Sequence, residues 1–267
     1  MLEMAPSTAQ LRRPSMLTMR DHGVQDYEAL RHMDTTDVGE LSDDDRACLD
    51  ELGQYLVSTD AWHRFGIWLL HKHFEPEPDE VFVEHAMRSP RRTETAPAVR
   101  SAFSVTGLSA TAIRFDDSTH DGVHAIGMEF AEPDEFGDAE PLSDDDDAIL
   151  TGICERLRTF DKVQRFGVRL IRNPLGLSEN ELLHETCDSA TRTLHCSVGD
   201  RHAMLADQTT IQTAWKWRVV HDGAHAVVMQ DCAAGCVRVG EGHDIAHTAS
   251  RTDADDNPIE GEPNLPF

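Results

Sequence analysis

His71 and His73, separated by one lysine, are the residues whose type and spacing most directly suggest chemistry in this sequence. They close the segment "RFGIWLLHKHF", residues 64–74. Residues two apart on a β-strand project from the same side, so these two imidazoles can bind one metal ion. Their parity with Ile67 and Leu69 predicts that both rings point into the core near the end of a strand. We therefore expect a divalent transition metal, zinc or iron, as the cofactor.

A second candidate metal site lies near the C-terminus, where Cys232 and Cys236 are followed by His243 and His247. Two thiolates and two imidazoles form the ligand set of tetrahedral zinc. The sequence between the two pairs is shorter than in zinc fingers and leaves little room for a hydrophobic minicore. The pattern therefore predicts a structural clip rather than a catalytic centre. A redox pair or two free thiols is the other interpretation of the cysteines.

Glu84 and His120 are the candidate catalytic residues beside the histidine pair. A carboxylate next to two imidazoles can bind the metal, orient a ligand or act as a general base. For Glu84 an ion pair with Arg64 is the competing interpretation, and it is the one we favour. His120 precedes an Asp-Gly turn, which explains Asp121 but not the histidine. His120 is therefore either structural or an additional group at the site.

The order of these residues resembles the metal-binding motif of two-domain cupins, in which two histidines are followed by a glutamate, here Glu77 or Glu84. The resemblance covers residues 66–84 and implies a β-barrel that holds a metal ion. The chain departs from the family pattern after this point. The family pattern has a glycine beyond the glutamate and a second glycine-proline motif with its own histidine. Neither is clearly present in this sequence. The sequence therefore assigns no family.

The elements that must position these residues occur twice in the chain. Segments match each other at a constant offset of 101 residues, which indicates a tandem duplication. The matched pairs are "LSDDDRACLDELGQYL" with "LSDDDDAILTGICERL", Arg64-Phe65-Gly66 with Arg165-Phe166-Gly167, Glu84 with Glu185, and "HDGVHA" with "HDGAHA". The sequence predicts repeat units at residues 41–135 and 142–236.

Each unit is predicted to begin with a helix and to continue as a sheet. Ser42 and Ser143 are suitable N-caps, and the aspartates behind them favour the positive end of a helix. The segment at Arg-Phe-Gly alternates apolar and polar residues, as a half-buried strand does, and Asp-Gly predicts a closing hairpin. We expect an α+β fold: a tandem duplication of a helix plus about four mostly antiparallel strands, packed as a pseudo-twofold intramolecular dimer.

The remaining segments show little periodicity. Residues 1–40 are predicted to form a loose N-terminal arm with one short helix near "DYEALRHM", and residues 132–141 are predicted to link the units. The C-terminal extension, residues 237–267, is mostly polar and rich in proline towards its end, so we expect it to be partly disordered.

The net charge of −25 is the strongest compositional feature of the chain. So acidic a surface repels phosphate backbones and anionic lipid headgroups, which argues against nucleic-acid and membrane partners. The sequence contains no run of about 18 apolar residues and no secretory signal, so we expect a cytoplasmic protein. A small molecule is the expected partner.

Two functional hypotheses follow from these residues. The first is a soluble metal-binding protein with a histidine-lined pocket in the first repeat, acting as a metalloenzyme on a small molecule. The second is a non-catalytic interaction or ligand-binding module with at most a structural zinc clip near the C-terminus. Metal analysis of variants of each candidate site distinguishes the two.

Overall fold

The computed structural model describes residues 23–33, 38–103, 107–116, 124–137, 139–206, 210–222 and 225–237. The helices are α1 (Val24–Glu28), α2 (Asp43–Ser58), α3 (Asp147–Thr159) and α4 (Arg201–Ala206). The strands are β1 (Phe65–Leu69), β2 (Glu80–Arg88), β3 (Arg91–Val99), β4 (Ser109–Asp116), β5 (His124–Ala131), β6 (Phe166–Leu170), β7 (Glu181–Asp188), β8 (Thr193–Asp200), β9 (Thr210–Asp222) and β10 (His225–Val237). Within these ranges, no helix combines the length and apolar content needed to cross a membrane.

The strands join in one closed barrel in the order β1-β6-β4-β5-β2-β3-β8-β7-β10-β9. β1 lies between β6 and β9, which both come from the second half of the chain. β6 in turn lies between β1 and β4. The pairs β2–β5 and β7–β10 are parallel, and the other neighbours are antiparallel. The barrel is therefore a mixed one.

This barrel shows that the predicted α+β fold, with two separate units of a helix plus four strands packed as a dimer, is wrong. The physical reason is an exchange of strands between the two halves. Among the described strands, both neighbours of β1 come from the second half, and β6 connects β1 to β4 of the first half. Closure also removes the unpaired edges that two separate sheets would expose to solvent.

The glycines of the repeated Arg-Phe-Gly segments are required where the exchanged strands approach their neighbours. A Cβ atom on Gly66 would lie 2.7 Å from the carbonyl oxygen of Trp215. A Cβ atom on Gly167 would lie 2.3 Å from the carbonyl oxygen of Ile113. Because the obstructing atom is backbone in both cases, only glycine fits at these positions.

The acidic runs cap helices, as the sequence predicts. Ser42 Oγ accepts a hydrogen bond from the Asp45 amide at 3.1 Å, and Asp45 Oδ2 accepts one from the Ser42 amide at 2.9 Å. In the 3₁₀ turn Asp144–Asp146 that leads into α3, the Ser143 amide donates to Asp146 Oδ2 at 2.9 Å. The capping prediction is confirmed for both runs.

The same two aspartates bind cations from the other half of the chain. Arg64 donates from Nε and Nη2 to the two carboxylate oxygens of Asp146, at 2.5 and 2.6 Å. Lys162 Nζ lies 2.7 Å from Asp45 Oδ1, and Arg165 Nε lies 3.8 Å from Asp45 Oδ2. Because Arg64 directly precedes β1 and Arg165 directly precedes β6, these pairs attach each exchanged strand to the helix start of the opposite half.

Two hydrophobic clusters form most of the core. The larger one joins the apolar residues of α2 and α3, such as Leu52, to Trp215 on β9. The smaller one joins Tyr27 and its neighbours on the N-terminal segment to Trp68 on β1. The Tyr27 hydroxyl donates a hydrogen bond to the carbonyl oxygen of Met128. Part of the segment that the sequence assigns to a loose arm is therefore packed onto the barrel.

Candidate metal centre

The two histidines lie in the connection directly after β1, and the N-terminal segment holds that connection in place. The Lys72 amide donates to the carbonyl oxygen of Arg31 at 2.9 Å, and the Met33 amide donates to the carbonyl oxygen of Lys72 at 3.1 Å. This backbone pairing fixes Lys72 between the two histidines. His71 and His73 are only 4% and 9% exposed, so both rings are directed into the protein.

The rings do not follow the parity of β1, because the strand ends at Leu69. His71 Nδ1 lies 2.7 Å from the carbonyl oxygen of Leu69, and the imidazole packs edge-on against Trp68 with a centroid separation of 6.1 Å. Trp68 and both histidines line the same cavity. The rings are therefore buried as predicted, but they lie with Trp68 and not on the Ile67 side of the strand.

Glu185 on β7 completes a group of three metal-ligand side chains. One ligand atom from each of His71, His73 and Glu185 lies within 4.8 Å of the other two. Glu185 is 2% exposed, and the Thr213 hydroxyl donates to its Oε2 at 2.7 Å. Carboxylates that bind metals are commonly oriented by such a hydrogen bond. The group could hold one transition-metal ion.

The hydrogen bond from His71 to Leu69 decides which ring nitrogen is available to a metal. A carbonyl oxygen can only accept, so Nδ1 carries the proton and Nε2 of the neutral ring carries the lone pair. His71 Nε2 lies 3.1 Å from His73 Nε2. Two nitrogens bound to one tetrahedral ion at about 2.0–2.1 Å are about 3.3 Å apart, close to this spacing. The pair is thus arranged much as two metal ligands would be.

The environment keeps His71 in the neutral form that metal binding requires. Burial lowers the pKa of His71 to about 4, and the positive charge of Arg169 adds to this effect against the opposing hydrogen bond to Leu69. At neutral pH the ring therefore has no proton for a metal ion to displace from Nε2.

Among the described residues, Glu84 forms ion pairs with arginines, whereas its sequence counterpart Glu185 does not. Arg172 Nη2 lies 2.6 Å from Glu84 Oε1, and Arg169 Nη2 lies 3.2 Å from Glu84 Oε2. In the part of the chain that the structure describes, no arginine or lysine forms such a pair with Glu185. At the offset of 101 residues Arg172 is the counterpart of His71. Glu185 therefore has imidazoles nearby, whereas Glu84 has the guanidinium of Arg172.

The favoured pairing of Glu84 with Arg64 is wrong, because Arg64 binds Asp146 on the opposite half. Burial would raise the pKa of Glu84, but Arg172 and Arg169 outweigh this effect and hold the pKa below its ordinary value. Glu84 is therefore an ionised carboxylate that neutralises two buried guanidinium groups. It does not belong to the group of three ligands.

Glu129 on β5 is a buried carboxylate that sequence reasoning missed. Its Oε2 lies 3.2 Å from Arg169 Nη2, and it lines the same cavity as the two histidines. Burial raises the pKa of Glu129; Arg169 opposes this, and Glu84 and Glu185 reinforce it, so the net shift is upward. The available signal was a lone glutamate inside the apolar run "IGMEFA". The sequence shows Glu185 only as the counterpart of Glu84, because nothing in it places β7 near the end of β1.

The cavity at this centre is small. Its volume is about 30 Å³, where one ordered water needs roughly 10–15 Å³ on the same measure. Much of its wall is apolar and is formed by Trp68, Phe74, Phe82 and Leu194. Thr95 and Glu129 add polar groups to the wall. The space suits a metal ion with a very small additional ligand.

Among the described residues, nothing places the cysteine and histidine candidates of the C-terminal site, or His120, at this centre. Cys232 and Cys236 lie on β10, at positions opposite Trp215 and Ile211 of β9. His243, His247 and His120 lie outside the described residues. The C-terminal zinc clip and the role of His120 therefore stay predictions.

Comparison with known proteins adds no assignment. No protein-family model, no curated protein and no solved structure matches this chain. The geometry of the centre is the available basis for a function.

Proposed function

We propose that this protein binds one divalent transition-metal ion through His71, His73 and Glu185. The observation that carries the proposal is the buried Glu185 carboxylate, which has two imidazoles as neighbours and no arginine or lysine pair among the described residues. Arg169 acts on Glu185 only through its longer-range field. A buried carboxylate without a directly paired cation is costly, and a bound metal ion lowers that cost. Two imidazoles and one carboxylate suit iron(II) or zinc.

The number of ligands supports a metalloenzyme rather than a purely structural site. Structural zinc sites are closed by four protein ligands, whereas catalytic sites keep a position open for water or substrate. Three protein side chains form this group. We therefore propose that the ion acts on a small molecule, with His71, His73 and Glu185 as its ligands.

The test is the metal content of purified protein, measured by mass spectrometry after expression with added iron or zinc. We expect close to one ion per chain in the wild type. His71→Ala, His73→Ala and Glu185→Gln each remove a ligand and should lose most of the metal. His63→Ala is the matched control, because His63 is a histidine with a 60% exposed side chain near the start of β1.

Glu84→Gln provides a second control at the sequence counterpart of Glu185. Because Glu84 binds arginines and not the histidine pair, this variant should keep its metal if it remains folded. Full metal occupancy in Glu185→Gln, or a metal-free wild type after reconstitution, would contradict the proposed function. The second result would favour the interaction-module hypothesis.

The charge of the chain supports a proposal about the class of partner. A net charge of −25 disfavours nucleic acid and anionic membranes as partners, so we propose a small molecule as the ligand. We also propose that the protein acts in the cytoplasm. Retention on heparin or on anionic vesicles at low salt would contradict the proposed partner class.

A further inference from the structure

The metal centre has fewer protein ligands than the ions that fit it require. Iron(II) commonly takes six ligands and zinc at least four, and the group contains three side chains. No fourth histidine, cysteine or acidic side chain among the described residues belongs to the group. At least one position on the ion is therefore not filled by a described side chain and is left for a further ligand.

The size of the cavity limits what that ligand can be. Pockets for metabolites and drug-sized molecules measure roughly 300–1,000 Å³. The cavity here measures about 30 Å³, and its apolar lining includes Trp68, Phe74, Phe82 and Leu194. Allowing for the ion itself, the remaining space corresponds to one or two water-sized groups.

The wall of the cavity carries a polar group suited to a small bound ligand. Thr95 is 2% exposed, and its hydroxyl has no hydrogen-bond partner within the described part of the chain. A buried hydroxyl without a partner is unfavourable, and a ligand in the cavity could accept its hydrogen bond. Thr93, two residues earlier on β3, is equally buried and also lacks a partner there, but it lines a different cavity.

We infer that the ion at His71, His73 and Glu185 keeps a position open into this cavity and binds diatomic molecules of the dioxygen and nitric oxide class there, with Thr95 as hydrogen-bond donor. This inference rests on the proposed metal site and names the class of its exogenous ligand. Larger ligands are excluded by the surrounding side chains. The apolar wall also suits a neutral diatomic molecule better than a charged metabolite.

The first test uses the full chain loaded with iron(II) under anaerobic conditions and then exposed to nitric oxide. We expect the EPR signal of a high-spin iron–nitrosyl complex, in proportion to bound iron. Iron bound at full occupancy without this signal would show that the ion is coordinatively closed. That result overturns the inference while the proposed metal site stands, whereas failure to bind iron or zinc overturns both.

The second test addresses size selection and uses cobalt(II)-loaded protein with imidazole as the larger probe. Imidazole should leave the visible spectrum of the wild type unchanged because it does not fit the cavity. Leu194→Ala and Phe74→Leu each remove part of the wall, and at least one should gain an imidazole-dependent spectral change. Imidazole binding to the wild type would overturn the size argument.

The third test addresses the hydroxyl. Thr95→Val conserves shape but removes the donor, so nitric oxide should dissociate about fivefold faster, as expected for one net hydrogen bond. Thr93→Val is the matched control and should leave the dissociation rate unchanged. Equal rates in the wild type and in Thr95→Val would remove Thr95 from the proposed site.

Discussion

The charged side chains inside the barrel show how one residue type takes two roles. Glu84 neutralises Arg172 and Arg169, whereas Glu185 lies beside the imidazoles of His71 and His73. In both cases a carboxylate is buried, which costs free energy unless a cation is nearby. Arg172 provides that cation for Glu84, and we propose that a bound metal ion provides it for Glu185.

Glu84→Gln tests the residue-scale argument. The variant leaves two buried guanidinium groups without their shared carboxylate, so we expect the free energy of unfolding at pH 7 to fall by about 3–5 kcal/mol. Chemical denaturation measures this quantity. Glu51→Gln removes a partly exposed partner of Arg156 and should change it by about 0.5 kcal/mol or less.

The pH dependence of the same variant follows from the lowered pKa of Glu84. A carboxylate with a lower pKa in the folded state contributes stability above its unfolded value, near pH 4.5, and loses it as the pH falls through the folded value. The stability difference between wild type and Glu84→Gln should therefore shrink on acidification below about pH 4.5. A difference that stays constant down to pH 3 would contradict this assignment.

At the scale of single elements, the sequence was sufficient wherever the cause is local. The cap of α2 and the strands at Arg-Phe-Gly depend on residues a few positions apart, and they occur as predicted. In the second half Ser143 caps the 3₁₀ turn that leads into α3. The alternation in β6 was less informative, because it suggested that Arg169 faces solvent. Arg169 is mostly buried, with its side chain 15% exposed, since a closed barrel also encloses the second face of the strand.

The end of α3 offers a test at the element scale. Asp161 has a φ of 57°, and the Lys162 amide donates to the carbonyl oxygen of Leu157 at 2.7 Å. This left-handed C-terminal turn favours glycine. We expect Asp161→Gly to raise the free energy of unfolding by about 0.5–1 kcal/mol and Asp161→Ala to lower it by about 1 kcal/mol. Thermal denaturation of both variants checks the order, and an alanine variant as stable as the glycine variant would contradict it.

At the scale of the whole molecule, the exchanged strands make the two halves interdependent. This feature could not be predicted, because the pairing of β1 with β6 and β9 joins segments about a hundred or more residues apart, without a local signal. For the same reason the sequence pointed to two of the three proposed ligands, His71 and His73, and missed Glu185. Glu185 is brought near the two histidines by barrel closure alone.

A fragment covering residues 41–141 tests this interdependence. Isolated, its β1 has neither neighbour, and its β3 and β4 each lose one, so we expect no cooperative unfolding transition and rapid proteolysis. Co-expression with residues 142–267 should restore a protease-resistant complex. A fragment that folds cooperatively by itself would show that the first half is an independent domain.

The backbone pairing of Lys72 with the N-terminal segment has a kinetic consequence for any ion bound beneath it. Tyr27 and Lys72 form part of the cavity wall, so an ion bound there would lie behind the clip formed by Lys72 with Arg31 and Met33. Chelators in solution can then reach the ion only during transient opening of that clip. Removal of the metal would proceed at a rate set by the clip and become independent of chelator concentration.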